Sequence, residues 1–401
     1  MKSNWKNLQD LLFFQEGPGV RKNQFKHTGV KLLNVGNIND KKLNLDTTSI
    51  FISEEEAFGK YSHFLVEDGD LLICCSGIVV DNFHNKIVFA EEKHLPLCLN
   101  TSTMRFRTLN EDILNIKYFY YFLMTRLFKE QLQKLITGSA QLNFGPSHIK
   151  KIFMPIVKLE EQKQIAKTLD KAQELIDLRK ESIAKLDELA KSMFIDMFGD
   201  PVSNEKGWDI EKLDDITTKI GSGSTPKGGK DSYKSEGISL IRSLNIHDNK
   251  FKYKDLAFID DVQAKGLSNV IVEKNDVLLN ITGASVCRCA IVPEDVLPAR
   301  VNQHVAIIRT DENVNSKYLM HLFISNYKDK LMHIATAGGA TREALTKENI
   351  QNLEIPLPSI DLQNKFAQII EKIEEQKSLY EQELEKLEDN FQALLQQSFG
   401  E

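Results

Sequence analysis

The 401-residue sequence has few cysteines, no long apolar segment near its start and no recognisable catalytic motif. Its five cysteines are odd in number and lack CxxC spacing, so we expect reduced, mostly buried thiols rather than disulfides or a zinc site. The longest early apolar run, Leu11 to Phe14, is far too short for a signal peptide or a membrane span. We therefore expect a cytoplasmic protein.

Motifs for catalysis and cofactor binding are also missing from the sequence. Its glycine-rich segments do not have the GxGxxG or GxxxxGK[ST] spacing of a nucleotide-binding loop, and the Asn-Pro-Pro-aromatic motif of adenine methyltransferases is absent. The sequence has no defensible Ser/His/Asp arrangement or metal-ligand spacing, and its nine histidines are scattered. We therefore expect a chain that binds rather than catalyses, and that holds no metal or cofactor of its own.

The net charge of −6 would by itself argue against nucleic-acid binding. This charge is unevenly distributed, because residues 1–155 contain 19 Lys and Arg against 16 Asp and Glu, whereas residues 356–401 contain 4 against 10. The acidic last segment is expected to stay away from phosphates. Any DNA affinity must therefore come from local basic loops or from a partner subunit.

The sequence contains the same unit twice, and each copy is a globular half followed by a long helix. Pro155 matches Pro356, and the Phe-Gly-Asp that ends at Asp200 matches the Phe-Gly-Glu that ends at Glu401. Period-two apolar segments and one helical stretch in each globular half indicate an α+β fold. We predict pseudo-twofold symmetry, with globular halves at 1–157 and 201–357 and long helices at 158–200 and 358–401.

The long helices carry an apolar a/d heptad seam without proline or glycine. Since the second globular half connects the end of one helix to the start of the other, we predict an antiparallel coiled coil and neighbouring chain termini. The first seam would be about 50 Å long and could separate two DNA-binding halves by roughly one turn of DNA. The predicted interface residues are Ile165, Leu169, Ile176, Arg179, Ile183, Leu186 and Met193, and then Phe366, Ile370, Ile373, Lys377, Tyr380, Leu384, Leu387 and Phe391.

Polar residues interrupt this seam at Arg179 in the first helix and at Lys377 and Ser398 in the second. Polar seam positions cost stability, but they can fix the register or the orientation of a coiled coil. The alternative interpretation is that the coil frays, or meets another subunit, at these positions. The sequence leaves both interpretations open.

Loops at matched places in the two globular halves are the candidate binding elements. Glycine-rich turns at 16–21 and 221–227 could bring backbone amides and basic side chains to DNA phosphates, although an ordinary loop is the simpler interpretation. Other matched loops carry Arg, Gln and Asn, which can bind guanine or adenine in the major groove. The predicted DNA-binding residues are Arg21, Lys22, Asn37, Ser76, Gln141, Asn143, Thr225, Lys227, Arg242, Asn245, Ser285, Arg288, Thr341 and Arg342.

Over its whole length the chain resembles the specificity subunit of type I restriction–modification systems. The duplicated helices that end in Phe-Gly are one part of this resemblance. The other parts are the Glu16–Arg21 turn, the Gly221–Lys227 turn, Asn302-Gln303, and the extended proline segment before Glu161-Gln162. The second helix departs from the first, because it has Asp361-Leu362-Gln363 at the matching place.

The resemblance implies that the globular halves are target recognition domains, each of which reads one part of an asymmetric, gapped DNA sequence. It implies that the antiparallel helices set the gap and dock two methyltransferase subunits, to which restriction translocase subunits add. S-adenosylmethionine would then belong to the methyltransferase, and ATP and Mg²⁺ to the translocase. Two other hypotheses remain at this point: a coiled-coil scaffold that does not read DNA, and an enzyme with an unrecognised site.

Overall fold

The computed structural model describes residues 4–78, 80–136, 142–226, 228–337 and 343–400. The chain divides into two compact units, of which unit 1 comprises Met1–Arg179 and Glu383–Glu401, and unit 2 comprises Lys180–Gln382. Each long helix therefore contributes one half to each unit. This division differs from the predicted segments, because the helix halves pack with the cores of the units.

Unit 1 alternates short strands and short helices before the chain enters a long helix. Its strands are β1 (Trp5–Asn7), β2 (Leu12–Glu16), β3 (Val30–Leu32), β4 (Ile38–Asn39), β5 (Lys42–Leu43), β6 (Phe51–Ile52), β7 (Leu71–Cys74), β8 (Ser76–Ile78), β9 (Ile87–Phe89), β10 (Leu97–Cys98), β11 (Thr103–Thr108), β12 (Leu142–Asn143) and β13 (Phe153–Pro155). Its helices are α1 (Glu54–Phe58), α2 (Ile116–Phe122), α3 (Arg126–Leu135), α4 (Pro146–Ile149) and the first half of α5 (Leu159–Phe198), together with the end of α10 (Ile360–Phe399) from Glu383 on.

The main sheet of unit 1 has four antiparallel strands in the order β2-β11-β7-β9. Strand β7 has the sequence Leu-Leu-Ile-Cys and is buried along its whole length, since apolar side chains on both of its faces join the core. A smaller sheet, β10-β3-β6, carries an apolar cluster of its own. Phe119 and Phe122 of α2 are fully buried, as expected for aromatic residues at helical spacing in a core.

Unit 2 repeats this plan. Its strands are β14 (Asp209–Lys212), β15 (Thr217–Ser222), β16 (Ile238–Ile241), β17 (Ile246–His247), β18 (Lys250–Phe251), β19 (Ala257–Ile259), β20 (Ile271–Val272), β21 (Val277–Asn280), β22 (Cys289–Ile291), β23 (Ala299–Val301), β24 (Val305–Thr310) and β25 (Glu354–Leu357). Its helices are α6 (Asp261–Lys265), α7 (Ser316–Ile324), α8 (Tyr327–Thr336), α9 (Lys347–Gln351) and the first half of α10 (Ile360–Phe399), together with the second half of α5. Its two four-stranded sheets are β15-β24-β21-β22 and β19-β16-β23-β20, and this mixture of sheets and helices in both units confirms the predicted α+β repeat.

The segments of α5 and α10 run antiparallel where they meet, which confirms the predicted coiled coil. Within unit 2, Asp187 on α5 lies 2.5 Å from Lys377 on α10, measured between Oδ1 and Nζ. Further along α5, Phe194 packs against Phe366, which lies earlier on α10, with ring centroids 5.6 Å apart. Residue numbers therefore rise along one helix as they fall along the other.

Two of the polar seam residues form ion pairs across the coil. Arg179 places Nη2 2.8 Å from Glu383 Oε2 in unit 1, and Lys377 pairs with Asp187 in unit 2. The side chains of the two cations are only 26% and 25% exposed, whereas those of their acidic partners are about half exposed. This geometry favours a role in fixing the register over fraying, because both charges are satisfied within the coil.

The predicted interface is buried where the helices contact the globular parts and half-buried elsewhere. The buried members are Leu169, Ile176, Phe366, Ile370 and Phe391. The half-buried members are Ile165, Arg179, Ile183, Leu186, Met193, Ile373, Lys377, Tyr380, Leu384 and Leu387. A pair of helices covers only one side of each seam residue, so full burial requires a third element. Near the C-terminal end of each long helix the buried residues recur every four positions. They are Ala190, Phe194 and Phe198 on α5, and Phe391, Leu395 and Phe399 on α10.

The cysteines are free and buried, as predicted. Burial raises the pKa of Cys74 to about 12, and it does the same for Cys75 and Cys98, so these thiols stay protonated near neutral pH. None of the described helices is both long enough and apolar enough to cross a membrane.

Candidate nucleic-acid interface

In each unit, three loops meet at one edge of the main sheet. In unit 1, β2 ends at Glu16 opposite Met104, and β7 ends at Cys74 opposite Thr103. Because neighbouring strands of an antiparallel sheet run in opposite directions, the ends of β2 and β7 lie beside the start of β11. The strands β15, β21 and β24 of unit 2 have the same arrangement. In unit 1 the glycine turn after β2 therefore adjoins the loop after β7 and the loop before β11. In unit 2 the glycine turn after β15 adjoins the loop after β21 and the loop before β24.

A close backbone contact explains the glycine in each of the first turns. The amide of Gly17 donates to the carbonyl of Thr103, the first residue of β11, at 3.1 Å, and a Cβ on Gly17 would lie 2.4 Å from the backbone nitrogen of Asn100. Gly223 donates to the carbonyl of Asn302 at 3.2 Å, and a Cβ there would lie 1.7 Å from the carbonyl oxygen of Val301. These two amides are bonded inside the protein and are not available to DNA phosphates, which corrects that part of the prediction.

The two basic residues after the first turn have a fixed backbone and exposed side chains. Arg21 and Lys22 are exposed, and a single 3-10 turn begins at Lys22. Gln24 Oε1 accepts the amide of Arg21 at 3.0 Å, while Gln24 Nε2 donates to Glu56 at 2.5 Å and to Tyr61 at 3.1 Å. Gln24 thus fixes the backbone at Arg21, while the side chains of Arg21 and Lys22 extend into solvent, as phosphate contacts require.

Asn143, on β12 before α4, connects a fourth segment of unit 1 to the loop that follows β7. Its Oδ1 accepts from Ser76 Oγ at 2.8 Å and from the amide of Gly77 at 3.1 Å. The connection continues through the backbone, since β12 pairs with β8 and the amide of Phe144 donates to the carbonyl of Cys75 at 3.0 Å. The structure therefore brings Ser76 and Asn143 together, and both are wholly or partly exposed.

Asn37 and Asn245 are buried and hold turns together. The Nδ2 group of Asn37 donates to the carbonyl of Asn44 at 3.0 Å, and that of Asn245 donates to the carbonyl of Lys252 at 2.8 Å. In each case Oδ1 accepts the backbone amide three residues earlier, at 2.9 and 3.1 Å. Both side chains are fully buried and would first have to break these bonds before a direct DNA contact, so the structure gives them a role in holding the turns.

Three predicted residues of unit 2, Arg242, Ser285 and Arg288, lie on partly covered surfaces. Arg242 is half-buried, with its guanidinium carbon 5.3 Å from the centroid of the Tyr233 ring. Arg288 is also half-buried, and its Nη1 lies 3.5 Å from Nδ1 of His247. Ser285 is half-buried at the end of a single 3-10 turn. These side chains keep some exposed surface, so a DNA contact by them remains a prediction.

Four predicted residues, Gln141, Lys227, Thr341 and Arg342, lie outside the described residues. The segment that follows the last of them joins the loop edge of unit 2. The amide of Gly283 donates to the carbonyl of Glu343 at 3.0 Å, and the amide of Leu345 donates to the carbonyl of Ile281 at 2.8 Å. This segment is therefore bonded directly to the loop that follows β21.

Sequence reasoning missed two exposed or half-exposed polar residues at the same edge, Gln303 and His304. They lie between β23 and β24. The three polar residues Asn302, Gln303 and His304 interrupt the apolar alternation, and this interruption was the available signal. Thr225 donates a hydrogen bond to Gln303, so a predicted residue and a missed one meet here.

The charges at the other end of the main sheets are neutralised within the protein. Arg107 Nη2 lies 2.9 Å from Oδ2 of the buried Asp70, and Arg309 Nε lies 2.8 Å from Oδ1 of the buried Asp276. Hydrogen bonds to these carboxylates raise the pKa of both arginines. Elsewhere, no three His, Cys, Asp or Glu side chains gather into a possible metal site in the part of the chain that the structure describes. At the loop edge, by contrast, Arg21 and Lys22 are exposed and can reach DNA phosphates.

A family described as "Type I restriction modification DNA specificity domain" matches the chain twice, over residues 2–188 and 205–389. The chain is 24% identical over 411 residues to the MjaX specificity subunit assigned to a type I restriction enzyme of Methanocaldococcus jannaschii, covering 96% of this chain and 89% of that protein. It is 23% identical over 322 residues to the EcoBI specificity subunit of Escherichia coli, covering 73% and 65%.

Two solved structures have a similar fold over nearly the whole chain. The S subunit of a type I restriction–modification system from M. genitalium has a TM-score of 0.58 and 15% identity, with 99% of this chain and 96% of that chain covered. A chain from a study of complex assembly and conformational transition of the type I R-M system has a TM-score of 0.59 and 16% identity, with 98% and 97% covered. At these identities the comparison supports the fold alone.

Proposed function

Because the chain belongs to the type I restriction–modification DNA specificity family and is a DNA-recognising specificity subunit, we propose that each of its two units reads one part of a bipartite, gapped DNA sequence. The observation that carries this proposal is that the same three-loop edge occurs in both units with different side chains. In the loop before the central strand, unit 1 has Thr101 and Ser102 where unit 2 has Gln303 and His304. Different side chains on one scaffold suit an asymmetric site, since each pattern of donors and acceptors selects its own bases.

We assign the two long helices to partner binding and propose that they dock two methyltransferase subunits, to which restriction translocase subunits can add. Large apolar side chains are exposed on the helix surfaces, at Leu175, Leu178, Leu189 and Leu379. Leu175 and Leu178 lie three residues apart on α5 and so share one face of the helix, and a contiguous exposed apolar patch is typical of a protein interface. The helices are also the best-preserved part of the internal repeat, as expected if two copies of one partner bind them.

We place catalysis in the partner subunits and the complex in the cytoplasm. S-adenosylmethionine would be held by the methyltransferase, and ATP and Mg²⁺ by the translocase. The role proposed for this chain is to position those subunits on DNA. The scaffold hypothesis is disfavoured, because both copies of the repeat match a DNA specificity domain.

The decisive experiment is the methylome of cells that express this chain with its methyltransferase. We expect methylation within a two-part sequence that has unread bases between the parts. Replacing residues 1–155 with the corresponding segment of a relative should change one part and leave the other unchanged. Methylation at one continuous sequence would contradict the proposal, as would methylation or cleavage by the isolated chain.

A further inference from the structure

Four side chains from three loops of unit 2 form one connected hydrogen-bonded row. The hydroxyl of Thr225 donates to Oε1 of Gln303. Nε2 of Gln303 lies 2.9 Å from Nε2 of His304, and Nδ1 of His304 lies 2.5 Å from Oγ1 of Thr282. The row therefore joins the glycine turn, the loop before β24 and the loop after β21 at the level of their side chains.

The backbone beneath this row is held on both sides. Asn302 is buried, and its Oδ1 accepts the amide of His304 at 3.1 Å. The carbonyl of His304 accepts the amide of Ile281 at 3.0 Å, and the carbonyl of Asn302 accepts the amide of Gly223 at 3.2 Å. Gln303 thus projects from a fixed loop, although its own side chain is exposed.

The roles of the donors and acceptors follow from the chemistry of the groups. A neutral histidine ring has one nitrogen that accepts and one that donates. If Nε2 of His304 accepts from the Gln303 amide, the ring proton lies on Nδ1 and is directed to Thr282. Because Thr225 occupies one acceptor site of the Gln303 oxygen, that amide retains one hydrogen and one lone pair for a ligand.

An exposed edge with one donor and one acceptor matches the major-groove edge of adenine, which offers N7 as an acceptor and N6 as a donor. We propose that Gln303 reads an adenine in the half-site bound by unit 2, and that Thr225 and His304 orient its amide for this contact. An amide that is ordered before binding loses less conformational freedom when DNA binds. The inference rests on the proposed function, since it names a base-reading residue of the same loop edge.

Unit 1 does not contain this row of hydrogen-bonded side chains. Asn100 occupies the place of Asn302, but Thr101 and Ser102 follow it where unit 2 has Gln303 and His304. Neither side chain carries the amide that pairs with adenine through two hydrogen bonds. The adenine contact should therefore be confined to one part of the bipartite sequence.

The test uses the complex of the full chain with its methyltransferase and duplexes in which each adenine of the second half-site is replaced in turn by 7-deazaadenine. This base lacks N7, so the wild-type complex should lose roughly tenfold in affinity at one position. Gln303→Leu should bind the natural duplex about tenfold more weakly and show no further loss at that position. Thr225→Ala and His304→Leu should each give a smaller loss at the same position.

Gln9→Leu, the same change at an exposed site before β2 and away from the loop edge, is the matched control and should leave base selection unchanged. The inference is overturned if the second half-site contains no sensitive adenine, or if Gln303→Leu weakens all duplexes equally, as a phosphate contact would. If the wild-type complex has no bipartite site, the proposed function itself fails. If that site is present and Gln303→Leu leaves it unaltered, only the adenine contact fails.

Discussion

Phe399, the last aromatic residue of α10, stacks on Tyr118 of α2 with ring centroids 4.8 Å apart. The hydroxyl of Tyr118 donates to the carbonyl of Pro155 at 3.1 Å, and Pro155 pairs with Trp5 across β13 and β1. Residues from both ends of the chain therefore meet within unit 1. The predicted proximity of the termini themselves, Met1 and Glu401, lies outside the described residues.

Unit 2 contains the same arrangement without a chain end. Phe198, the last residue of α5, packs edge-on against Tyr318 with ring centroids 4.7 Å apart, and the hydroxyl of Tyr318 donates to the carbonyl of Pro356. The end of each long helix is thus a core element of one unit. Two phenylalanines at matched places in the repeat perform this task.

Phe399→Ala should destabilise unit 1, and Phe198→Ala should destabilise unit 2. The expected cost is about 3–5 kcal/mol in each case, because a large buried ring is removed and leaves a cavity. Amide hydrogen exchange, measured for individual peptides, should be faster in the affected unit of each variant. Phe58→Ala, at a ring that is more than half exposed, should change neither unit. Equal loss of protection in both units would contradict this division of the core.

Ile176→Asp should disrupt folding of unit 1 and assembly with the methyltransferase. Ile176 is buried in the core cluster that also contains Phe391 and Leu395, so an aspartate there would lose packing and bury a charge. We expect a loss above about 4 kcal/mol. Leu384→Asp should have the same direction and a smaller size, because Leu384 is half-buried.

The neighbouring Leu175 provides a control that separates folding from assembly. Leu175→Asp should leave the urea midpoint almost unchanged, since this side chain is exposed, while assembly falls if α5 docks the methyltransferase. If Ile176→Asp and Leu384→Asp both folded normally and both formed the complex normally, that result would count against the antiparallel coil.

His321 should make unit 2 sensitive to acid. It is 3% exposed, and burial, helped by the nearby Lys317, lowers its pKa to about 3 from an ordinary 6.5. Between these values the unfolded chain binds a proton that the folded chain does not, so stability is present near neutral pH and falls as the pH decreases below 6.5. By pH 5 the loss should be about 2 kcal/mol.

His321→Phe should remove this part of the pH dependence, because phenylalanine does not titrate and can pack against Phe366, whose ring centroid lies 5.2 Å from that of His321. The measurement is urea unfolding at pH 5 and pH 7.5, with hydrogen exchange of unit 2 peptides as the probe. His333→Phe, at an exposed histidine, should retain the wild-type difference. If His321→Phe retains it too, another group causes the acid sensitivity.

Arg21→Ala and Lys22→Ala should weaken binding to all DNA sequences by a similar factor. If each residue contacts one phosphate, each substitution should reduce the slope of log affinity against log salt by about 0.9. A filter-binding series at increasing salt concentration measures this slope. Lys163→Ala, at an exposed cation on α5, should leave the slope unchanged. A change in base preference would instead assign Arg21 or Lys22 to sequence reading.

The helices, the repeat and the α+β class could be predicted from the sequence because each depends on the order of residues along the chain. The heptad seam is a local periodicity, and its antiparallel pairing followed from connectivity. The shift of the buried stripe to Phe194 and Phe198 could not be predicted, since it depends on where the helix leaves its partner and enters a globular core. One predicted helical stretch became two helices, α2 and α3, because Thr125 caps the second by accepting the amide of Phe128.

The candidate site was predicted as a set of loops but not as a set of side chains. Asn37 and Asn245 have the composition of base-reading residues, yet their amides bond to turns seven residues away and are buried. Gln303 was missed because its partner Thr225 lies 78 positions earlier. The sequence by itself determined the duplicated plan and the coil, since periodicity and connectivity are properties of the chain. Only the tertiary structure decided which polar groups face solvent, because burial and hydrogen-bond partners depend on which distant segments meet.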